Sequence, residues 1–264
     1  MDNAHITSQL QRLALDINSA SIQFIIFGSN DDCSTGTIAL DSSTNYRQAL
    51  ENAVFDNPQL LNDFASTAIA IHSQHFALLP QQVASDGLSE NVLAASFTGL
   101  DGDVLTSEIA GTDAAVACEV PSGVLGFLRR TFATATIMHH LVPLCSYCMR
   151  SYALDTACLH ISIAQGEAHI VAIKQGQLQM ANTFHYRAIE DVAYYAMNMW
   201  KTCGLNASRD KVLLTGDNNL RRELAEQLRQ WIAYVMPEVL PAEALKLGRN
   251  AMSVPFNLIT LALL

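Results

Sequence analysis

Residues 13–27, "LALDINSASIQFIIF", hold two apolar runs separated by a short polar turn at Asn18 and Ser19. Four apolar residues before Asn, Ser and Ala and five after them predict a β-hairpin, because the flanks suit a half-buried or buried strand and the middle suits a turn. One acid, Asp16, closes the first run. A similar line returns at residues 159–173, "LHISIAQGEAHIVAI", again two apolar runs around a polar turn. Aligned by eye, His160 falls on Asp16 and Ser162 on Asn18.

Around each hairpin the same series of elements follows. In the first half, "QRLALDI", "IQFIIFG" and "CSTGTIALD" predict three strands, then "YRQALENAVF" a helix stopped by Asn57-Pro58, and "STAIAIHS" a buried strand. "SGVLGFLRRTF" predicts a helix, "ATATIMHH" a strand, and "PLCSYCMRSY" a helix with Pro143 near its first turn. In the second half, "ACLHISI", "EAHIVAIK" and "QLQMANTF" predict three strands, with Gly166 and Gly176 marking turns. A helix over 189–202, the strand "KVLLTG" and a helix over "NNLRRELAEQLRQWIAYV" follow, the last with a stripe from Leu220 to Val235 and an end at Pro237. The repetition predicts two similar α/β subdomains: residues 1–152, with an insert at about 75–119, and residues 153–264.

Composition bounds the partners. Half of the 264 residues are apolar and 15% are charged, which excludes wholesale disorder. Fifteen basic residues against 25 acidic ones give a formal charge of −10. Nucleic acid or an anionic membrane surface needs clustered Lys and Arg, so neither is expected as a partner. No apolar stretch reaches the ~20 residues of a membrane span, and the N-terminus shows no secretion signal. Six cysteines in such a chain predict reduced thiols and a cytoplasmic location.

The stretches "FALLP" (76–80), "CEVPSGVLGFLRRTFATATIMHH" (118–140) and "GQLQMANTFHYRAIEDVAYYAMNMW" (176–200) carry a more specific likeness. With the duplicated pattern, they resemble an uncharacterised bacterial domain-of-unknown-function family of the actin-like ATPase superfamily, with PilM-like relatives. The resemblance implies two ribonuclease-H-like halves around a cleft. It also implies phosphate-cradling hairpins of the form Asp-x-Gly-Ser/Thr, and a third strand ending in Gly-Gly.

Measured against those motifs, the nucleotide-binding candidates are Asp16, Asn18, Ser19, His160, Ser162, Gly216 and Asp217. Glycine lets a backbone turn tightly and bring its N–H groups close to phosphate. Asn18 stands in that place in the first hairpin, where it tolerates a left-handed turn but would crowd a phosphate. His160 replaces the metal-organising carboxylate, and Ser162 the glycine. Asp217 follows Gly216 and would put negative charge beside an anionic ligand.

The sequence therefore predicts a non-catalytic pseudo-ATPase, without cofactor, acting as a scaffold or assembly protein with a protein partner; a homodimer is compatible with it. A divergent ATPase or small-molecule kinase binding nucleotide between the halves is the alternative. Cys145 and Cys148, in "CSYC" after His139-His140, would suit a metal or redox site; as two thiols on one helix face they would equally well simply pack. Tyr194 and Tyr195 cannot face one direction, so one packs and the other is left for a partner surface.

Overall fold

The computed structural model describes residues 11–28 and 33–264, with the backbone alone at Arg249 and Met252. The chain divides into two compact units. One runs to Glu108 and adds Ala114–Val142 and Leu240–Leu264; the other comprises Ile109–Asp113 and Pro143–Val239. This partition differs from a break at residue 152. The last 25 residues join the first unit, because their apolar helix packs there.

The first unit is built on β1 (Arg12–Ile17), β2 (Ser21–Phe27), β3 (Cys33–Ala39), β4 (Ser66–Ile71) and β8 (Ala135–His139), in the order β3-β2-β1-β4-β8. β1 runs antiparallel to β2 and parallel to β4. Leu13, Leu15 and Ile17 alternate onto one face, where they meet α1 (Tyr46–Phe55) and α4 (Val124–Thr131) through Leu50, Val54, Leu125 and Leu128. Asn45 caps α1, its side chain accepting the Gln48 N–H at 2.9 Å. Between β4 and α4, a small antiparallel sheet of β5 (Phe76–Pro80), β6 (Asp103–Glu108) and β7 (Ala114–Val120) carries α2 (Gln81–Ser85) and α3 (Ser89–Ser96).

α5 (Leu141–Ser151) leads to the second unit. Its sheet joins β9 (Ala157–Ala164), β10 (Glu167–Lys174), β11 (Gln177–His185), β12 (Lys211–Gly216) and β13 (Tyr234–Pro237), in the order β11-β10-β9-β12-β13. One face is covered by α6 (Ile189–Thr202) and α7 (Asn218–Leu228), whose Val192, Ala196, Trp200, Leu224 and Leu228 are buried against Leu159, Ile161 and Ile163. The helix expected to run through Val235 stops at Leu228. Ile232 and Val235 are buried, but as part of a loop and an edge strand: Val235 pairs with Val212, and the Ala233 N–H donates to Ala207. Trp231, expected on the buried stripe, is 54% exposed.

The final apolar segment forms α8 (Ala242–Leu245) and α9 (Phe256–Ala262). α9 packs on β1, β2 and β4, with Leu258, Ile259 and Leu261 buried. Among the described residues no helix is long and apolar enough to cross a membrane.

The two large sheets share one register as well as one strand order. Asn18 bonds across the first hairpin to Ser21, and Ala164 pairs with Glu167 across the second. Ser21 opposes Ala39, and Glu167 opposes His185. The Leu40 N–H donates to Ala20, and the Tyr186 N–H to Gly166. A single fixed increment in residue number carries every member of the first set onto the second. Sequence duplication here is duplication of hydrogen-bond register.

Candidate functional site

That register corrects the alignment of the two hairpins. The same increment carries Asp16 to Ser162 and Asn18 to Ala164, so His160 is the counterpart of Ala14 and not of Asp16. Beyond each hairpin the next parallel strand confirms the match. The His72 N–H donates to Ile17 and the Asp217 N–H to Ile163, which places His72 opposite Asp217 in the duplicated pattern.

In the first hairpin Asp16 is buried at the end of β1, and its Oδ1 lies 2.9 Å from Nε2 of His72. Both are nearly enclosed, at 8% and 14% side-chain exposure. His72 also stacks on His140, ring centroids 4.0 Å apart. The carboxylate that would organise a metal in a phosphate site is thus hydrogen-bonded to an imidazole. His72 directly follows the buried strand "STAIAI", and that place is the signal in the sequence for it.

Asn18 closes the turn in a way glycine cannot. Its side-chain Oδ1 accepts the backbone N–H groups of Ala20 and Ser21, each at 2.8 Å, and the Ser21 hydroxyl at 3.3 Å. The Tyr46 hydroxyl donates to its carbonyl at 3.4 Å. Asn18 is not left-handed: among the described residues Gln175 is the one non-glycine with positive φ. The expected left-handed turn is replaced by a side-chain acceptor. Ser19 sits exposed at the tip. The amides that a phosphate loop would turn towards its ligand already have an acceptor.

The second hairpin turns through Gln165 and Gly166, the glycine at φ +79°. Tyr186 donates to the Ala164 carbonyl at 2.6 Å, the same carbonyl position that Tyr46 meets in the first hairpin. Ser162, buried, stands where Asp16 stands, so this hairpin has no acid in that place. Gly216 has φ +101°, and a Cβ there would run into the Ile163 carbonyl. Close strand approach therefore requires this glycine. The Asp217 carboxylate accepts the N–H groups of Asn219 and Leu220 at 2.8 and 3.0 Å. It caps α7 and occupies the amides that would otherwise attract an anion.

His160 belongs to a different constellation, buried in the second unit. Its Nδ1 lies 2.8 Å from the Tyr152 hydroxyl and its Nε2 3.1 Å from Thr215 Oγ1. Tyr152 donates to Glu238 Oε2 at 2.7 Å. Because the phenol proton goes to Glu238, His160 Nδ1 carries the proton offered to Tyr152, and Nε2 accepts from Thr215. Burial pushes the His160 pKa down to about 3, so the imidazole is neutral. Burial likewise raises that of Tyr152, aided by the nearby Cys148 and Glu238. Tyr152, Thr215 and Glu238 are scattered over 87 positions of sequence and share no spacing that would have revealed them.

Cys145 and Cys148 are both buried on α5, and their sulfurs are free. Burial raises Cys145 to about 12 and holds Cys148 well above the ordinary thiol value, the latter also through Cys145, Cys158 and Glu238. Metal binding and redox exchange both need the thiolate, which this environment opposes. On α6, Tyr195 stacks on Phe184 of β11, centroids 4.3 Å apart and planes 9° apart, while Tyr194 is 68% exposed. Asp191 reaches back to the N–H groups of Arg187 and Ala188, which lowers its pKa.

This architecture has known counterparts. A protein of unknown function from Bacteroides thetaiotaomicron VPI-5482 with an actin-like ATPase fold superposes with TM-score 0.79 at 20% identity, covering 98% of each chain. A chain of the PilM–PilN type IV pilus biogenesis complex matches with TM-score 0.58 at 11% identity, over 96% of this chain and 97% of that one. The fold is thus that of the actin-like ATPases. Among curated proteins none matches. Residues 2–235 match the family described as "Protein of unknown function (DUF3822)", and the chain belongs to that family.

Proposed function

We propose that the chain is a non-catalytic scaffold or assembly protein that keeps the actin-like ATPase fold without a working phosphate site. The observation that carries this reading is the pair of hydrogen bonds from Ala20 and Ser21 to Asn18 Oδ1. An anion at the hairpin tip would have to displace that side chain and would also face Asp16. The cap of Asp217 on α7 and the serine at position 162 act in the same direction. A chain of the same fold occurs in the PilM–PilN pilus biogenesis complex, which supports a partner-binding role without chemistry. Six cysteines, read as thiols, fit a reducing compartment such as the cytoplasm.

The test is thermal unfolding with and without millimolar Mg²⁺-ATP. A ligand bound well below its working concentration raises the melting temperature by linkage. We expect no rise. A clear rise that disappears in Asp16→Ala would overturn the reading in favour of a divergent ATPase or kinase.

A further inference from the structure

The first hairpin has a second end, away from its turn, with a different chemistry. Arg12 opposes Phe27 in the register of β1 and β2, and alternation puts both on the sheet face opposite Leu13, Leu15 and Ile17. α9 packs on these strands. Beside it a hollow of about 410 Å³ is bounded by Arg12, Phe27 and Ala262 and, from α8 and the residues after it, by Glu243, Lys246 and Leu247. All of them belong to the first unit.

Floor and rim differ. Phe27, Leu247 and Ala262 are buried and make the floor apolar. Arg12, Glu243 and Lys246 are exposed and make the rim charged. The Arg12 guanidinium lies over the Phe27 ring, 5.7 Å from its centroid. That contact steadies the guanidinium and supplies it with no acceptor oxygen. Among the described residues no ion pair or side-chain hydrogen bond engages Arg12, Glu243 or Lys246. Two cations against one acid leave the rim with a single excess positive charge.

We propose that this hollow binds a small amphipathic monocarboxylate, its carboxylate held by Arg12 and Lys246 and its apolar body resting on Phe27, Leu247 and Ala262. A guanidinium fork donates two parallel N–H bonds to a carboxylate, and the ammonium of Lys246 adds a second cation. An apolar floor with a few placed polar groups is how small-molecule sites are built, and the volume falls in their range. Glu243 selects among anions. A monoanion matches the single excess charge, whereas a phosphate monoester or a dicarboxylate brings a second negative charge against this acid. The site lies at the opposite end of β1 from Asp16, so it stands or falls independently of whether nucleotide binds.

Ligand-observed NMR titration of octanoate against the full chain tests it. Saturable binding below ~10 mM is expected. Octylamine, which lacks the carboxylate, and octyl phosphate, a dianion at pH ~8, should each bind at least ~10-fold more weakly. Arg12→Leu keeps an apolar cover on Phe27, and Lys246→Met keeps an unbranched stem. Each should weaken octanoate at least ~10-fold with the circular dichroism preserved, while Lys201→Met on α6 should leave it unchanged. Glu243→Gln should narrow the gap between octyl phosphate and octanoate. If Arg12→Leu fails to fold, the exposed Lys246→Met decides. Absence of saturable octanoate binding overturns the proposal. So does binding that octylamine matches or that survives Lys246→Met, and an unchanged gap in Glu243→Gln overturns the selection for a monoanion.

Discussion

The side-chain oxygen of Asn18 lies 2.8 Å from the backbone nitrogen of Ser21, and equally close to that of Ala20. Two amides at a hairpin tip are thereby satisfied from within the hairpin. The turn keeps its shape without a glycine, and it has no need of an anion to hold it.

Removing that acceptor has a definite cost. Asn18→Gly leaves the half-buried Ser21 amide without its partner and frees the backbone of the unfolded chain. It should lower stability by about 1 kcal/mol in urea unfolding. Asn18→Asp retains an acceptor oxygen and should stay within about 0.5 kcal/mol of wild type at neutral pH. Equal stability of all three proteins would show that the side chain contributes nothing to the turn.

The two turn glycines of the second unit separate conformational strain from steric conflict. At Gly166 an added Cβ meets nothing within 4 Å, so Gly166→Ala suffers only the left-handed backbone, about 1 kcal/mol. At Gly216 the Cβ meets the Ile163 backbone as well, and Gly216→Ala should cost upwards of ~2 kcal/mol. Similar losses at the two sites, by denaturant titration, would contradict this account.

Much of the fold was legible because apolar periodicity is a core property. Leu13, Leu15 and Ile17 repeat at every second position, and so do Leu159, Ile161 and Ile163. That same period hides a slip of two residues. Matching Asp16 to His160 or to Ser162 keeps every side chain on its proper face, and only hydrogen-bond register separates the choices. The helix beyond Leu228 failed for a related reason. Trp231, Ile232 and Val235 have helical spacing, but the exposed Trp231 belongs to a tight loop that feeds a parallel edge strand. The network of Tyr152, His160, Thr215 and Glu238 was illegible, since it is assembled by tertiary packing alone.

Thiol chemistry distinguishes packing from reactivity. Cys33, Cys118, Cys145, Cys148 and Cys158 are buried, and Cys203 is half-buried. Burial raises Cys118, Cys145 and Cys158 to about 12. In native protein at pH 8 a disulfide reagent such as DTNB should label Cys203 first, and the other five only at the rate of unfolding. Native labelling of Cys145 or Cys148 that is switched on by a zinc chelator, or by prior reduction with the reductant then removed, would revive a metal or redox role for that pair.

His160 gives the chain a pH dependence of known sign. Its pKa is about 3 in the folded protein, against ~6.5 for an unperturbed histidine. Between those values the unfolded chain holds one proton that the folded chain does not, so folding is opposed as the solution is acidified. The stabilisation is complete above pH ~6.5 and is lost as the pH falls through that window, at up to ~1.4 kcal/mol per pH unit. His160→Gln cannot be protonated, yet it can still donate towards Tyr152. Losing the imidazole contact with Thr215 should cost it about 1–2 kcal/mol at pH 8. Its acid limb should then be shallower than that of the wild type by one proton, so the two stabilities converge between pH 6 and 4. Urea midpoints measured in parallel across that range report the difference directly, with the other histidines common to both proteins. Parallel pH profiles would mean that His160 is protonated within the folded protein, and that the neutral chain from Thr215 through Tyr152 to Glu238 is not the one the protein uses.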